Sequence, residues 1–306
     1  MSTPRRDDLR FTQNFLHDAA LVARLVKQAQ LTAGGVVLEV GPGKGIITSS
    51  LADAVGPQGQ VIAVELDERL AAALTGQFAA RPQVKVMIGD ILDYDFGALG
   101  RTYAVFANVP FNITSALLER MLDPRVGPAQ AHLILQRDTF IAVGEGGAPA
   151  LTLKALMVHP WYDVREVYRF RPSDFRPAPS VETALFALAR RPEPLLDSAH
   201  HALYLDFLAV VSKDRAGEGG WRKLFSGPQL ALLLEHGLVM GRGLKAQPAG
   251  AMLAAFRLFA QANRARFGLV QGAMANLRAE QQRREAINRA GGHHRSNQTP
   301  RKPPRR

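Results

Sequence analysis

The sequence predicts an α/β fold in which helices cover both faces of a parallel sheet, followed by a smaller helical domain and a basic tail. Three observations carry this. Over the first 190 residues short apolar, β-prone runs alternate with longer stretches of helical periodicity, the pattern of successive strand–helix–strand units. The segments richest in Gly, Asn, Asp and Pro come just after predicted strands, where ligands bind in such sheets. Near Arg190-Arg191-Pro192-Glu193-Pro194 two prolines and adjacent charges mark a linker, and no further strands follow.

Taken in order, Ala19 to Gln30 has apolar residues at helical spacing and ends near Gly34-Gly35. Val36 to Val40 is a β-prone run that enters a glycine turn, and Ile46 to Ala54 is helical again. A second strand, Val61 to Glu65, precedes an Ala/Leu-rich helix from Glu68 to Ala80. Val84 to Ile88 and Tyr103 to Ala107 are the third and fourth strands, Ser115 to Leu122 a helix, and Ala131 to Gln136 the fifth strand. Beyond the linker, Leu203 to Val211, Gln229 to His236 and Ala249 to Ala262 are helical. The domains expected are therefore 1–190, 191–275 and a tail of 276–306. That tail holds nine Lys/Arg against two Glu, with few apolar residues, and is expected to be disordered.

A chain of 306 residues, 47% hydrophobic, has enough apolar material for a real core and is not a wholly disordered protein. Lys plus Arg outnumber Asp plus Glu 38 to 27, and the net charge of +11 favours an anionic partner such as nucleic acid. With no cysteine, disulfides, thiolate metal sites and a cysteine nucleophile are excluded. The first residues lack a signal-peptide apolar core, and no apolar run reaches the roughly 20 residues that span a bilayer. A soluble cytoplasmic monomer without membrane or metal partners is expected.

The cofactor chemistry is concentrated in Leu38-Glu39-Val40-Gly41-Pro42-Gly43-Lys44-Gly45, a strand running into a glycine turn before a helix. Glycines there take positive φ and let the backbone approach a ligand. The spacing G-x-G-x-G is one residue short of the dinucleotide fingerprint. Glu65 ends the next strand, where a carboxylate can accept from ribose hydroxyls, and Asp90 ends the third, where it can accept from an adenine amine. The combination suits S-adenosylmethionine, a nucleoside with an amino-acid tail and no pyrophosphate. On these residues alone a nicotinamide dehydrogenase remains the competing reading, and each residue by itself is also ordinary turn chemistry.

Asn108-Val109-Pro110-Phe111, after the fourth strand, favours a methyl acceptor site. The amine of adenine is a poor nucleophile because its lone pair is delocalised into the ring. The Asn108 side-chain oxygen and a backbone carbonyl, of Val109 or Pro110, can accept its two hydrogens. Proline presents a carbonyl rigidly, and Phe111 offers a flat apolar face for stacking. No base or metal is required, because a sulfonium is already an activated methyl donor; positioning and the two acceptors carry catalysis. The base must be unpaired or flipped out to reach such a site. A plain strand-end turn is the alternative for these four residues.

With these motifs in place the sequence resembles the ribosomal RNA adenine dimethyltransferases, which include the Erm methyltransferases of macrolide resistance and the small-subunit dimethyladenosine transferases. The match is good over residues 11–190 and loose beyond. It rests on Gln13-Asn14-Phe15-Leu16, Leu38 to Gly45, Glu65-Leu66-Asp67, Gly89-Asp90-Ile91-Leu92, Asn108 to Phe111 and Phe175-Arg176-Pro177-Ala178-Pro179-Ser180-Val181. The resemblance implies a Rossmann-like class I methyltransferase sheet and S-adenosyl-L-methionine as cofactor. It implies cofactor contacts from Asn14, Leu16, Gly41, Gly43, Glu65, Asp90 and Asn108, catalytic roles for Asn108, Pro110 and Phe111, and a loop at 175–181 bordering the site. Without it, Gln13-Asn14 reads as a helix-capping segment. Many relatives have tyrosine at Phe111, so stacking survives here without a hydroxyl, and Asn112-Ile113-Thr114-Ser115 departs from the commoner Ile-Ser-Thr order.

Within the family, His159-Pro160-Trp161-Tyr162, the Phe-Arg-Pro-Ala-Pro loop and the arginine-rich tail resemble the actinomycete Erm branch. That branch implies N6-methylation of an adenine in the peptidyl-transferase region of 23S rRNA and resistance to macrolide, lincosamide and streptogramin B antibiotics. Two alternatives stand beside it: a 16S rRNA adenine dimethyltransferase acting in small-subunit assembly, and a non-catalytic RNA-binding factor of the same fold. The tail, with Arg5, Arg6 and Arg10 as a second basic arm, fits attraction to rRNA phosphates; a merely solvated tail is the plain alternative.

Overall fold

A computed structural model describes residues 14–143, 149–213, 219–241, 243–281 and 283. The chain divides into two compact units, Met1–His201 and Ala202–Arg306.

The first unit is built on a seven-stranded sheet. Strands β2 (Val36–Val40), β3 (Gln60–Glu65), β4 (Val84–Ile88), β5 (Ala104–Asn108) and β6 (Gln130–Gln136) follow a short β1 (Phe15–Leu16) in the chain. Helices α1 (Ala19–Gln28), α2 (Ile46–Val55), α3 (Glu68–Gln77) and α4 (Thr114–Met121) alternate with them. After β6 come a small ribbon of β7 (Ile141–Val143) and β8 (Pro149–Leu151), helix α5 (Leu153–Val158), then β9 (Tyr162–Arg169), β10 (Phe175–Arg176) and β11 (Thr183–Arg190). The spatial order is β4-β3-β2-β5-β6-β11-β9.

The five strands expected from the sequence are all present and mutually parallel. To these the structure adds two strands not expected from the sequence, with β11 pairing antiparallel with both β6 and β9. These two strands are joined through residues 170–182 without a crossover helix, and an antiparallel pair needs none. On β9 half-buried Val164, Glu166 and Tyr168 alternate with exposed Asp163, Arg165, Val167 and Arg169, so charge guards the open edge. The inner strands β2 and β3 are nearly all buried.

Local chemistry sets the element ends. Asp18 caps α1 by accepting from the amides of Ala20 and Leu21, and Asp67 caps α3 through those of Arg69 and Leu70. Lys27 lies in the last turn of α1, where a cation meets the helix dipole. Because the chain runs β2, β3, β4 outward in one direction and then returns to place β5 on the other side of β2, the strand order reverses between β2 and β5. Such a switch point leaves a crevice at the carboxyl ends of the strands. Val40 and Ala107 are register partners there, so the loops after them lie side by side.

Residues 191–200, which hold the expected linker, are laced to the first unit. The Arg191 amide donates to Trp161 O, the Leu195 amide to Pro160 O, and Trp161 Nε1 to Leu196 O at 3.0 Å.

The second unit is helical: α6 (His201–Lys213, its first residue assigned to the first unit), α7 (Gly219–Leu224), α8 (Gly227–Glu235) and α9 (Ala249–Ala262). Its core is aromatic, with Phe207 touching the rings of Trp221, Phe225, Phe256 and Phe259. The expected disordered tail needs correction at its start, since residues 273–281 are helical. The Asp206 carboxylate accepts from the amides of Gly272 and Met274, both at 2.9 Å, and so caps the first turn; Lys213 and Glu280 form a 3.0 Å ion pair. Residues 284–306, and the basic arm of Arg5, Arg6 and Arg10, lie outside the described residues.

Among the described residues no helix is long and apolar enough to cross a membrane, and no group of three or more His, Asp or Glu is placed to hold a metal ion.

Candidate active site

A pocket opens at the switch point, lined by Asn14, Phe15, Gly41, Asn108, Val109, Pro110 and Phe111. Three segments meet in it: the N-terminal strap, the turn after β2 and the turn after β5. Of the residues singled out from the sequence, it brings together Asn14, Gly41, Asn108, Pro110 and Phe111. Gly43, Glu65, Asp90 and Leu16 do not line it.

The glycine turn is held from beneath. The Gly43 amide donates to Glu65 Oε2 at 3.0 Å, and Glu65 Oε1 accepts from the Asp67 amide at 3.0 Å. Glu65, 2% exposed, thus locks the turn after β2 to the turn after β3, with lone pairs remaining on both oxygens. Gly41, Gly43 and Gly45 all have positive φ, at 62°, 58° and 79°, and their open sides differ. A Cβ on Gly43 would fall 2.6 Å from Phe15 Cε1, and one on Gly45 would fall 2.7 Å from Leu74 Cδ2. A Cβ on Gly41 would meet no protein atom within 4 Å. Gly43 and Gly45 make room for neighbouring side chains; Gly41 leaves its room in the pocket.

Asp90 is exposed and caps the short 3₁₀ turn Ile91–Asp93, accepting from the Leu92 amide at 2.8 Å. The Leu16 side chain is buried in the main core beside Leu21, Leu25 and Phe175. That packing accounts for its absence from the pocket lining.

The second acceptor in the turn after β5 can be named. Pro110 O accepts from the Ile113 amide at 3.2 Å and from Thr114 Oγ1 at 3.3 Å, so it is engaged by the start of α4. The Val109 amide donates to Ile134 O at 3.2 Å, and among the described residues nothing donates to the Val109 carbonyl. Asn108 Nδ2 donates to the backbone carbonyl of Asn14 at 2.7 Å. Phe111 opens a short 3₁₀ turn, half-buried at the pocket wall.

Two features escaped the sequence reading. Phe15 was visible only as part of a motif, and nothing in the chain foretold that its ring would press on Gly43 or lie 5.8 Å from Lys44 Nζ. Leu66 and Ile88 are 48% and 62% exposed at the carboxyl ends of β3 and β4; apolar side chains at strand ends read as core until the sheet order shows them at its rim. Glu39, inside the glycine motif, is 1% exposed, and the hydroxyl and amide of Thr48 are the groups that face its carboxylate. Burial pushes its pKa up to about 8, the Glu65 charge adds to the rise, and nearby Thr48 opposes it.

A seven-stranded sheet whose five parallel strands are extended by an antiparallel pair, with a glycine turn at its switch point, is the fold of the class I methyltransferases. The open side of Gly41 is a cradle that a Cβ would fill, so the residues present fit S-adenosylmethionine. Comparison with known proteins extends this: residues 6–261 match the family model described as ribosomal RNA adenine dimethylase, and the chain belongs to that family. Its cofactor is S-adenosylmethionine. The chain is 36% identical over 191 residues to ribosomal RNA small subunit methyltransferase A of Geobacter sulfurreducens, covering 60% of this chain and 68% of that protein. The protein of the same name from Synechococcus sp. is 35% identical over 218 residues, covering 65% and 77%. Among solved structures, the 23S rRNA methyltransferase ErmE is similar with a TM-score of 0.67 and 26% identity, covering 81% of this chain and all of that one. A dimethyladenosine transferase from Plasmodium falciparum shares the fold, with a TM-score of 0.65 and 18% identity over 81% of this chain and 98% of that one.

Proposed function

We propose that the protein methylates the N6 amine of an unpaired adenine in ribosomal RNA, and that its target lies in the small-subunit RNA. One observation carries the chemistry: Asn108 spends its amide nitrogen on Asn14, which leaves Oδ1 as an acceptor beside the uncommitted Val109 carbonyl. Two acceptors match the two hydrogens of an amine and draw its nitrogen out of conjugation as positive charge develops. Phe111 stacks on the base. Bound S-adenosylmethionine supplies the electrophilic methyl group. Gly41 and Asn14 hold it in the pocket, and Glu65 and Asp90 take its ribose and adenine. Pro110 shapes the turn rather than accepting from substrate, its oxygen being engaged by α4.

The choice of small-subunit RNA rests on the curated relatives, which bear that name at 33–36% identity. It departs from the Erm branch favoured by the sequence motifs. The second reading, an adenine of 23S rRNA with macrolide resistance, is favoured by the likeness to ErmE, which spans that whole chain. Labelled methyl transfer to assembled 30S particles and to protein-free 23S rRNA, followed by primer extension, separates the two. Label confined to 23S rRNA overturns the small-subunit reading. Absence of label from both, with Asn108→Ala indistinguishable from wild type, supports a non-catalytic RNA-binding factor.

A further inference from the structure

The amide of Asn108 is held from behind. A backbone carbonyl only accepts hydrogen bonds, so the side-chain atom 2.7 Å from Asn14 O must be the nitrogen. Oδ1 then has to face the other way. The Asn14 carbonyl is itself fixed by the three residues after it. Phe15 and Leu16 pair as β1 with Arg176 and Phe175 of β10. Leu16 is 5% exposed in the main core, and the Phe15 ring is seated on Gly43. His17 Nε2 lies 2.8 Å from Ser173 O. The strap is thus tied to the loop before β11 and to the glycine turn, and the shared product of these ties is one carbonyl at one place.

Resting on the reading that an adenine amine is the substrate, we propose that the Asn14 carbonyl is the positioning and specificity-determining group of the acceptor site. It keeps the oxygen of Asn108 toward the pocket, so the site accepts an exocyclic amine and rejects a base that presents a carbonyl at the same place. An amide free to turn over would offer N–H as readily as oxygen. It would then suit a ring carbonyl, and the discrimination that a hydrogen-bonding site provides would be lost. The strap belongs to the acceptor half of the site as well as to the cofactor half.

Full-length variants and two readouts test this. In protein labelled with ¹⁵N-asparagine, the Asn108 side-chain amide is assigned by its loss in Asn108→Ala. Its protons exchange at least about tenfold more slowly than those of exposed asparagines, because a part-buried hydrogen bond must open first. Phe15→Gly, which frees the strap from Gly43, abolishes that protection and lowers kcat at saturating cofactor by about tenfold. An amide that exchanges in wild type as fast as exposed ones overturns the proposal. In Asn108→Asp an ionised carboxylate would face the Asn14 carbonyl with no proton to donate, whereas the neutral acid restores the contact. Its kcat therefore falls about tenfold per pH unit above the carboxyl's pKa, a slope absent from wild type. A flat profile, or one rising with pH, overturns it equally. Exchange needs no RNA, so a protected amide in a protein that methylates no ribosomal RNA sinks the function and leaves the orientation standing.

Discussion

Replacing Gly41 with alanine separates ligand space from folding space. Gly41 has φ of 62°, and an L residue there costs about 1–2 kcal/mol in backbone strain. The new Cβ touches no protein atom within 4 Å, so packing adds nothing further. Gly45→Ala carries the same kind of strain at φ 79°. It also drives a Cβ to 2.7 Å from Leu74 Cδ2 and 2.9 Å from Phe78 Cε2, which adds about 1–3 kcal/mol of overpacking. Gly45→Ala is therefore the less stable variant by denaturant unfolding, while Gly41→Ala is the poorer binder. Its methyl group occupies the pocket and weakens S-adenosylmethionine by at least about tenfold, or roughly 1.4 kcal/mol, by calorimetric titration. The reverse order, with Gly41→Ala binding at wild-type affinity, would show that the open side of Gly41 is not where the cofactor lies.

Phe111→Ala lowers kcat/KM for RNA by about tenfold to a hundredfold, the worth of one stacked base, while Phe111→Tyr keeps most of it; steady-state methylation with both variants reads this directly. For Glu39, whose folded pKa is raised from 4.5 to about 8, the proton is held more tightly in the folded state. Its favourable contribution is complete below about pH 4.5 and is lost as pH rises toward 8. Glu39→Gln is consequently more stable than wild type at pH 8, by a few kcal/mol at most, and equal to it near pH 4; equal unfolding midpoints at both pH values would dismiss the raised pKa. Truncation after Arg283 removes seven Lys/Arg and one Glu. It weakens RNA binding and flattens the salt dependence by about 0.7–0.9 for each phosphate that the tail neutralised, with an unchanged melting temperature. Unaltered affinity at low salt would make the tail a bystander.

Much of the first unit was legible because its strands are short apolar runs punctuated by turn residues. Val36–Val40 and Val84–Ile88 were read with the observed limits, and the others to within a residue or two. The strands after β6 were not. On β9 polar and apolar residues alternate with arginines and glutamate among them, a weaker signal than a buried run, and β11 follows a proline-rich loop. At the site, residue types announced the chemistry but contacts decided the roles. The spacing of three glycines could not say that one serves the pocket and two serve Phe15, Leu74 and Phe78. Nor could Asn-Val-Pro-Phe say which carbonyl is spare, since Pro110 is engaged through Ile113 and Thr114, whose hydrogen bonds exist only once α4 has formed.

The distance in sequence between Asn14 and Asn108 matters to how such a site works. Asn108 ends a central strand flanked by β2 and β6, so backbone pairing fixes where its Cα lies but leaves the side-chain amide free to turn over. The two acceptor faces of an amide differ only in which atom is nitrogen, and sheet geometry does not distinguish them. A group that only accepts is the simplest device that can, and a backbone carbonyl at a fixed point is such a group. Supplying it from the strap rather than from the sheet links the acceptor half of the site to the segment that also lines the pocket beside Gly41. Ordering of the strap then completes both halves at once, and an unfilled cofactor pocket with a loose strap would lack a competent Asn108.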